Sequence, residues 1–207
     1  MASRENQNVQ VPPEILLKAY RMGIFPMGGE DELTWFSPDP RGIIPLDTFH
    51  LPHGLRRSLQ AKNWQIRVDT RFEEVMQSCA KRSETWIDDC ILRSYLELHA
   101  LGHAHSIETW LDDKLVGGLY GVQVGAAFFG ESMFHRATDA SKIALFALAS
   151  ILRAHAFELL DIQWTTDHLK QFGAIDIPRR NYLTRLKSAV EKQVSFPAAG
   201  EWKAENR

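Results

Sequence analysis

The sequence has little of what marks several protein classes at a glance. Only two of its 207 residues are cysteine. Cys79 and Cys90 fall on segments patterned as helices, which excludes a disulfide framework and points to buried thiols in a reducing compartment, not to nucleophiles. The longest apolar runs, near Ile143 to Ala149 and Gly125 to Gly130, fall well short of the roughly 20 residues that span a bilayer. The start, Met1 to Val11, is polar and lacks an apolar stretch with a small-residue cleavage site, so a cytoplasmic location is expected. Neither sign of charge prevails. A formal net charge of −2 argues against a broadly basic nucleic-acid binder and leaves only local clusters to matter. There is no G-x-x-x-x-G-K-[ST] loop for ATP, no internal repeat and no low-complexity segment.

What is present suits one compact body with a small extension, since 44% of residues are apolar and 24% charged. Pro13 to Tyr20 reads as a helix stopped by Gly23. Pro26, Pro38, Pro40 and Pro45 then impose turns and extended chain, so residues 1–40 are expected to form a small amino-terminal lobe. Trp64, Ile66 and Val68 alternate as in a half-buried strand. Thr70 and Glu73 have capping-box spacing ahead of a helix whose apolar face is Phe72, Val75, Met76 and Cys79. Another helix is expected from Asp89 to Leu101. Three strands follow, Ser106 to Leu111, Leu115 to Val122 and Gly125 to Phe129, as an antiparallel meander. The helix from Ser141 to Phe157 is apolar almost all round and belongs in the core. Leu159 to Trp164 is the next strand, with helices at Thr166 to Phe172 and Arg180 to Val190. This order implies an α+β domain.

Glycines at Gly117, Gly118, Gly121, Gly125 and Gly130 lie inside predicted strands, where they mark bulges or close approach. Glu131 and Ser132 close that apolar run, and Ser132 lacks the second glycine of a nucleophile elbow. Asp161 and Gln163 flank Ile162, so strand alternation directs both to one face. If that face is interior, Asp161 requires partners, either in a helix cap or in a catalytic pocket. His99, His103 and His105 lie close together but lack a further ligand at a recognised metal spacing, and no metal is expected. Arg56, Arg57, Lys62 and Arg67 form a positive excess that suits either a solvated surface or a phosphate backbone.

Several blocks in order then resemble the bacterial leucyl/phenylalanyl-tRNA-protein transferase family. They are Tyr20-Arg21-Met22-Gly23-Ile24-Phe25-Pro26, Trp35-Phe36-Ser37-Pro38-Asp39-Pro40-Arg41, Gly102-His103-Ala104-His105-Ser106-Ile107-Glu108, Gly130-Glu131-Ser132-Met133-Phe134, Ala140-Ser141-Lys142, Asp161-Ile162-Gln163 and Ile177-Pro178-Arg179-Arg180. The resemblance implies an acetyltransferase-like (GNAT) catalytic domain over residues 41–207, with a mixed, mostly antiparallel sheet flanked by helices. It implies transfer of Leu or Phe, less readily Met, from aminoacyl-tRNA to the α-amine of proteins beginning with Arg or Lys. That reaction tags them for N-end-rule degradation, in a monomer without cofactor. By the family's pattern Asp161, Gln163 and Glu131 serve the incoming amine, while Trp86, Leu119, Phe128, Met133, Leu152 and Leu160 surround the transferred side chain. Tyr20 and Tyr95 would contact the terminal adenosine, and Arg56, Arg57, Lys62 and Arg67 the tRNA. Two departures stand out: the stretch before the first helix is shorter than the family's, and Phe25-Pro26-Met27 replaces its Phe-Pro-Trp. The rival readings are an acetyl-CoA-dependent N-acetyltransferase and a non-catalytic tRNA-binding module. The loop His135 to Ala140 speaks against the first, because it lacks the glycines that cradle a pyrophosphate and carries Asp139.

Overall fold

The computed structural model describes residues 10–29, 32–82 and 85–203; residues 1–9 of the polar start, and residues 30 and 31 of the expected lobe, lie outside them. Helix α1 (Pro13–Arg21) starts on proline, where a missing N–H costs nothing. Gly23, just past its end, takes a φ of 73°. Strands β1 (Phe25–Met27) and β2 (Thr34–Phe36) form a two-stranded sheet of their own. Strand β3 (Arg41–Ile44) enters the main sheet instead. Helix α2 (His53–Ala61), strand β4 (Gln65–Val68), helix α3 (Phe72–Ala80) and helix α4 (Asp89–Ala100) follow.

The expected capping box ahead of α3 does not form. Arg71 is its N-cap residue and supplies no side-chain cap. The buried Glu108 on strand β5 (Ala104–Leu111) reaches across and accepts from the Thr70 and Arg71 amides at 2.8 and 2.7 Å, and from the Thr70 hydroxyl. A carboxylate from a neighbouring strand thus does the work assigned to Glu73, because it takes up several orphan donors at once.

Strand β5, strand β6 (Lys114–Val124) and strand β7 (Ala127–His135) form the anticipated meander. Strand β7 outruns its expected end at Phe129, so Glu131 lies within the strand. Helix α5 (Ala140–Ala154) buries ten of its residues and stops before Phe157, with Ala156 at φ 57°. Strand β8 (Leu159–Gln163), helix α6 (Asp167–Lys170), strand β9 (Ile175–Ile177), helix α7 (Arg179–Val190) and strand β10 (Gly200–Trp202) complete the described chain.

The main sheet runs β10-β4-β5-β6-β7-β8-β3-β9. Every pairing is antiparallel except β7 with β8. Alternate strand residues enter two cores: Tyr120, Phe129 and Ile43 pack with Tyr20, Tyr95 and Tyr182 from α1, α4 and α7. Leu119, Phe128 and Ile44 pack instead with Ile143, Leu148 and Leu152 of α5. The result is three layers, helix, sheet and helix. No described helix is long and apolar enough to cross a membrane.

Candidate active site

The parallel ladder is short. It joins Ala127 to Leu159, Phe128 to Leu160 and Phe129 to Asp161, and there it ends. Beyond it β7 pairs only with β6, and β8 only with β3. The gap opens into a cavity of about 460 Å³, lined by Gly130, Glu131, Ser132 and Met133 from β7 and by Leu160, Ile162 and Gln163 from β8. Leu145 and Leu148 of α5, Leu119, Trp86, Phe25, Met27, Trp164 and Leu169 make the remaining wall mostly apolar.

Two glycines permit this geometry. A Cβ on Gly121 would lie 2.2 Å from the Phe129 carbonyl oxygen, at the register shift between Tyr120 and Gly121. A Cβ on Gly42 would lie 2.7 Å from the Trp164 carbonyl carbon, so β3 can press against the end of β8. There Gln163 adopts φ 58°. This left-handed turn interrupts the strand alternation and brings Gln163 to the cavity wall, while Asp161 stays behind it.

Asp161 is fully buried. Arg41, also buried, donates Nε–H to Oδ1 at 2.9 Å and Nη2–H to Oδ2 at 2.7 Å. The Tyr182 hydroxyl donates to Oδ2 at 2.5 Å and the Gln163 amide to Oδ1 at 2.9 Å. Burial, the largest single influence, works against the Arg41 charge, but Asp161, with Tyr182 and Glu131 adding to it, holds the guanidinium above its ordinary pKa. Burial, with Asp161 adding to it, also keeps the Tyr182 phenol protonated.

A second network faces the cavity. The Tyr20 hydroxyl donates to Glu131 Oε1 at 2.7 Å and also meets the Tyr95 hydroxyl, while Gln163 Nε2 lies 3.3 Å from the same oxygen. Burial pushes the Glu131 carboxyl up to about 8; the Tyr20 and Tyr95 hydroxyls and Arg41 act against the shift, and Asp161 adds to it.

Among the residues singled out in the sequence, Glu131, Gln163, Trp86, Leu119, Met133 and Leu160 share this one cavity. Phe128 and Leu152 do not line it; they lie fully buried in the core on the α5 side. Tyr20 and Tyr95 are fully buried too and offer no ring face to a base; they meet the cavity through Glu131. Arg56, Arg57, Lys62 and Arg67 are absent from its wall. Arg56, Arg57 and Lys62 are exposed, whereas Arg67 stacks 4.2 Å over Trp110 and pairs with Asp113 at 3.2 Å.

Burial pushes the Cys79 thiol up to about 12, which suits an inert core residue. His105 bonds through Nδ1 to Asp69 and His99 through Nδ1 to the Ala104 carbonyl. Sequence reasoning missed Arg41, Phe25, Ile162 and Trp164. The need of a buried Asp161 for a partner was the only pointer to Arg41.

A family model described as leucyl/phenylalanyl-tRNA protein transferase matches residues 43–187. A companion model, described as the N-terminal domain of the same family, matches residues 10–39. A relative from Akkermansia muciniphila named leucyl/phenylalanyl-tRNA–protein transferase is 52% identical over 192 residues, covering 90% of this chain and 100% of its own length. One of the same name from Paramagnetospirillum magneticum is 52% identical over 190 residues, covering 88% and 91%. Among solved structures, that of L-PGS from Bacillus licheniformis is similar at a TM-score of 0.42 and 14% identity, over 78% of this chain and 56% of that one. That likeness is too distant to speak to function.

Proposed function

The chain belongs to the leucyl/phenylalanyl-tRNA protein transferase family, and from that premise we propose that the cavity between β7 and β8 receives the aminoacyl end of a tRNA carrying Leu, Phe or, less readily, Met. The residue passes to the α-amine of a protein beginning with Arg or Lys, marking that protein for N-end-rule degradation. The observation that carries this reading is the hydrogen-bonded polar pair Glu131 and Gln163 in the wall of a mostly apolar cavity. An apolar wall favours Leu and Phe over charged side chains and discriminates weakly against Met, since a methylene or so is worth only about 1–3 kcal/mol.

The chemistry requires no cofactor. An ester is exchanged for an amide: the amine nitrogen bonds to the acyl carbon, the bond to the ribose oxygen breaks, and one proton passes from nitrogen to that oxygen. Before attack the α-ammonium, whose pKa is about 8, gives a separate proton to solvent and frees its lone pair readily, so holding the two reactants together can supply much of the rate. Gln163 orients the amine, Glu131 faces the cationic first residue, and Asp161 with Arg41 holds Gln163 in its left-handed turn. Tyr20 and Tyr95 act through Glu131. Trp164, 44% exposed and, like Met27, lining the cavity, offers the adenine the stacking surface that Met27 does not. Arg56, Arg57 and Lys62 meet tRNA phosphates. A GNAT-type catalytic domain from residue 41 onward is part of the same reading, supported by the mixed sheet with its one parallel contact; the separate β1–β2 sheet supports the small lobe.

Acetyl-CoA fits less well. Asp139, at the start of α5 and paired with Lys142 at 2.9 Å, puts a carboxylate where a pyrophosphate would sit. The deciding experiment is transfer of radiolabelled Leu from Leu-tRNA to a peptide with N-terminal Arg, which should proceed without ATP or coenzyme A. No transfer despite intact tRNA binding would leave a binding module, and thermal stabilisation by coenzyme A alone would favour the acetyltransferase.

A further inference from the structure

Resting on the reading of the β7–β8 cavity as an aminoacyl-ester site, we propose that a second, basic cavity beside it holds the phosphodiester on the 5′ side of the tRNA's terminal adenosine, with Lys81, Arg82 and Arg136 as its cations. This cavity, of about 370 Å³, has Lys81, Arg82, His135 and Arg136 in its walls and, among the described residues, no carboxylate. The four come from two distant places in the chain, Lys81 and Arg82 just past the end of α3 and His135 and Arg136 at the end of β7. A cation past a helix C-terminus suits the helix dipole, which accounts for Lys81 alone. Bringing Arg136 against Lys81 and Arg82 works the other way, since like charges repel, and a cleft lined by one sign of charge concentrates anions.

Arg82 and Met133 line both this cavity and the aminoacyl cavity. Arg82 donates from Nη2 to the Met133 carbonyl, the only hydrogen bond its side chain makes among the described residues. That bond ties the guanidinium to the shared wall through a neutral acceptor and leaves its charge uncompensated. Arg136 is anchored in the same manner, by the Leu115 carbonyl at 3.0 Å and the Ser78 hydroxyl at 2.8 Å. The Glu74 carboxylate lies 3.5 Å from Arg136 with both side chains 45% exposed, so this pairing offsets little of the charge. In an aminoacyl-tRNA the ester oxygen and the nearest phosphate are attached to one ribose. An acyl group in the first cavity therefore carries an anion one sugar away, and the cations beside the shared wall are the partners that anion needs. Phosphate contacts carry no sequence information, which suits a donor site serving tRNAs for more than one amino acid.

The test is equilibrium binding, by calorimetry, of two unreactive donors. One is 3′-amino-3′-deoxyadenosine carrying Phe in amide linkage and extended on its 5′ side by a cytidine through a phosphodiester; the other has a neutral methylphosphonate in that linkage. The parent should bind the charged donor about tenfold more tightly, the worth of one charge-assisted contact. Lys81→Ala with Arg82→Ala should remove most of that preference, and with it the salt dependence of binding, leaving the Kd of the neutral donor within threefold. Lys81→Ala alone, at an exposed position outside the aminoacyl cavity, should show the same loss in smaller measure. Equal affinity of the parent for the two donors would overturn the proposal, as would a double variant that loses both alike, the mark of residues that only shape the cavity. Binding of neither donor would sink the reading of the β7–β8 cavity and the phosphate site with it. A preference for the charged donor without transfer from Phe-tRNA would keep the phosphate site and sink only the proposed reaction.

Discussion

A carboxylate surrounded by four donors has no lone pair to spare for a substrate proton, and Asp161 is in that position, with Arg41, Tyr182 and the Gln163 amide around it. In the proposed function it therefore serves to position Gln163, not as the base. Asp161→Asn should leave Arg41 buried and uncompensated and cost about 3–5 kcal/mol in denaturant unfolding. Turnover should fall sharply while tRNA affinity of the folded protein holds; equal loss of both would make the residue purely structural. Glu131 behaves differently. Its carboxyl is raised from 4.5 to about 8 in the folded chain. Between those values the folded chain keeps a proton that the unfolded chain has lost, so this group's contribution to stability is full below about pH 4.5 and lost as the pH rises through 8. Glu131→Gln should flatten that decline in pH-dependent melting curves. The KM for an Arg-terminated peptide should fall as the pH rises towards 8 in the parent but not in the variant, since only the ionised carboxylate attracts the cation.

At the level of elements, capping of α3 by Glu108 is a non-local contact with a local consequence. Glu108→Gln should destabilise the chain by about 1–3 kcal/mol, since the Thr70 and Arg71 donors would lose their charged acceptor. Protection of the first α3 amides from solvent exchange would drop with it. Such contacts mark the limit of what a sequence discloses. The meander and α5 were legible because alternation and an all-round apolar pattern are local properties. Helix α2 was not, since its short run offers only Leu55 and Leu59 as apolar anchors. Strands β3, β9 and β10 span only three or four residues and show no period. β7 looked shorter because Glu131 and Ser132 break its apolar run, for the very reason that they face a cavity. The polar members of the site, Glu131, Asp161 and Gln163, stood out in the sequence, whereas Arg41 was hidden in a proline-rich stretch. Burial of Phe128 away from the cavity depends on the pleat of a bulged sheet, and that of Leu152 on which turn of α5 meets the sheet; spacing alone determines neither.

For the molecule as a whole, the near balance of charge places the burden of tRNA attraction on a few side chains. Arg56→Glu with Arg57→Glu should weaken tRNA binding and reduce its dependence on salt, because fewer counterions are released from the phosphates. An unchanged salt slope in filter-binding titrations would place the tRNA elsewhere. Arg67, already held by Trp110 and Asp113, should matter less than these two. The three-rung ladder between β7 and β8 also bears on how this chain can diverge. Past Phe129 and Asp161 those two strands owe each other no hydrogen bonds, so the opening has the same outline whichever apolar side chains fill its edges. Selection can then alter the guest by exchanging Leu119, Met133 or Ile162 one at a time, leaving the chain's pairing pattern inherited intact.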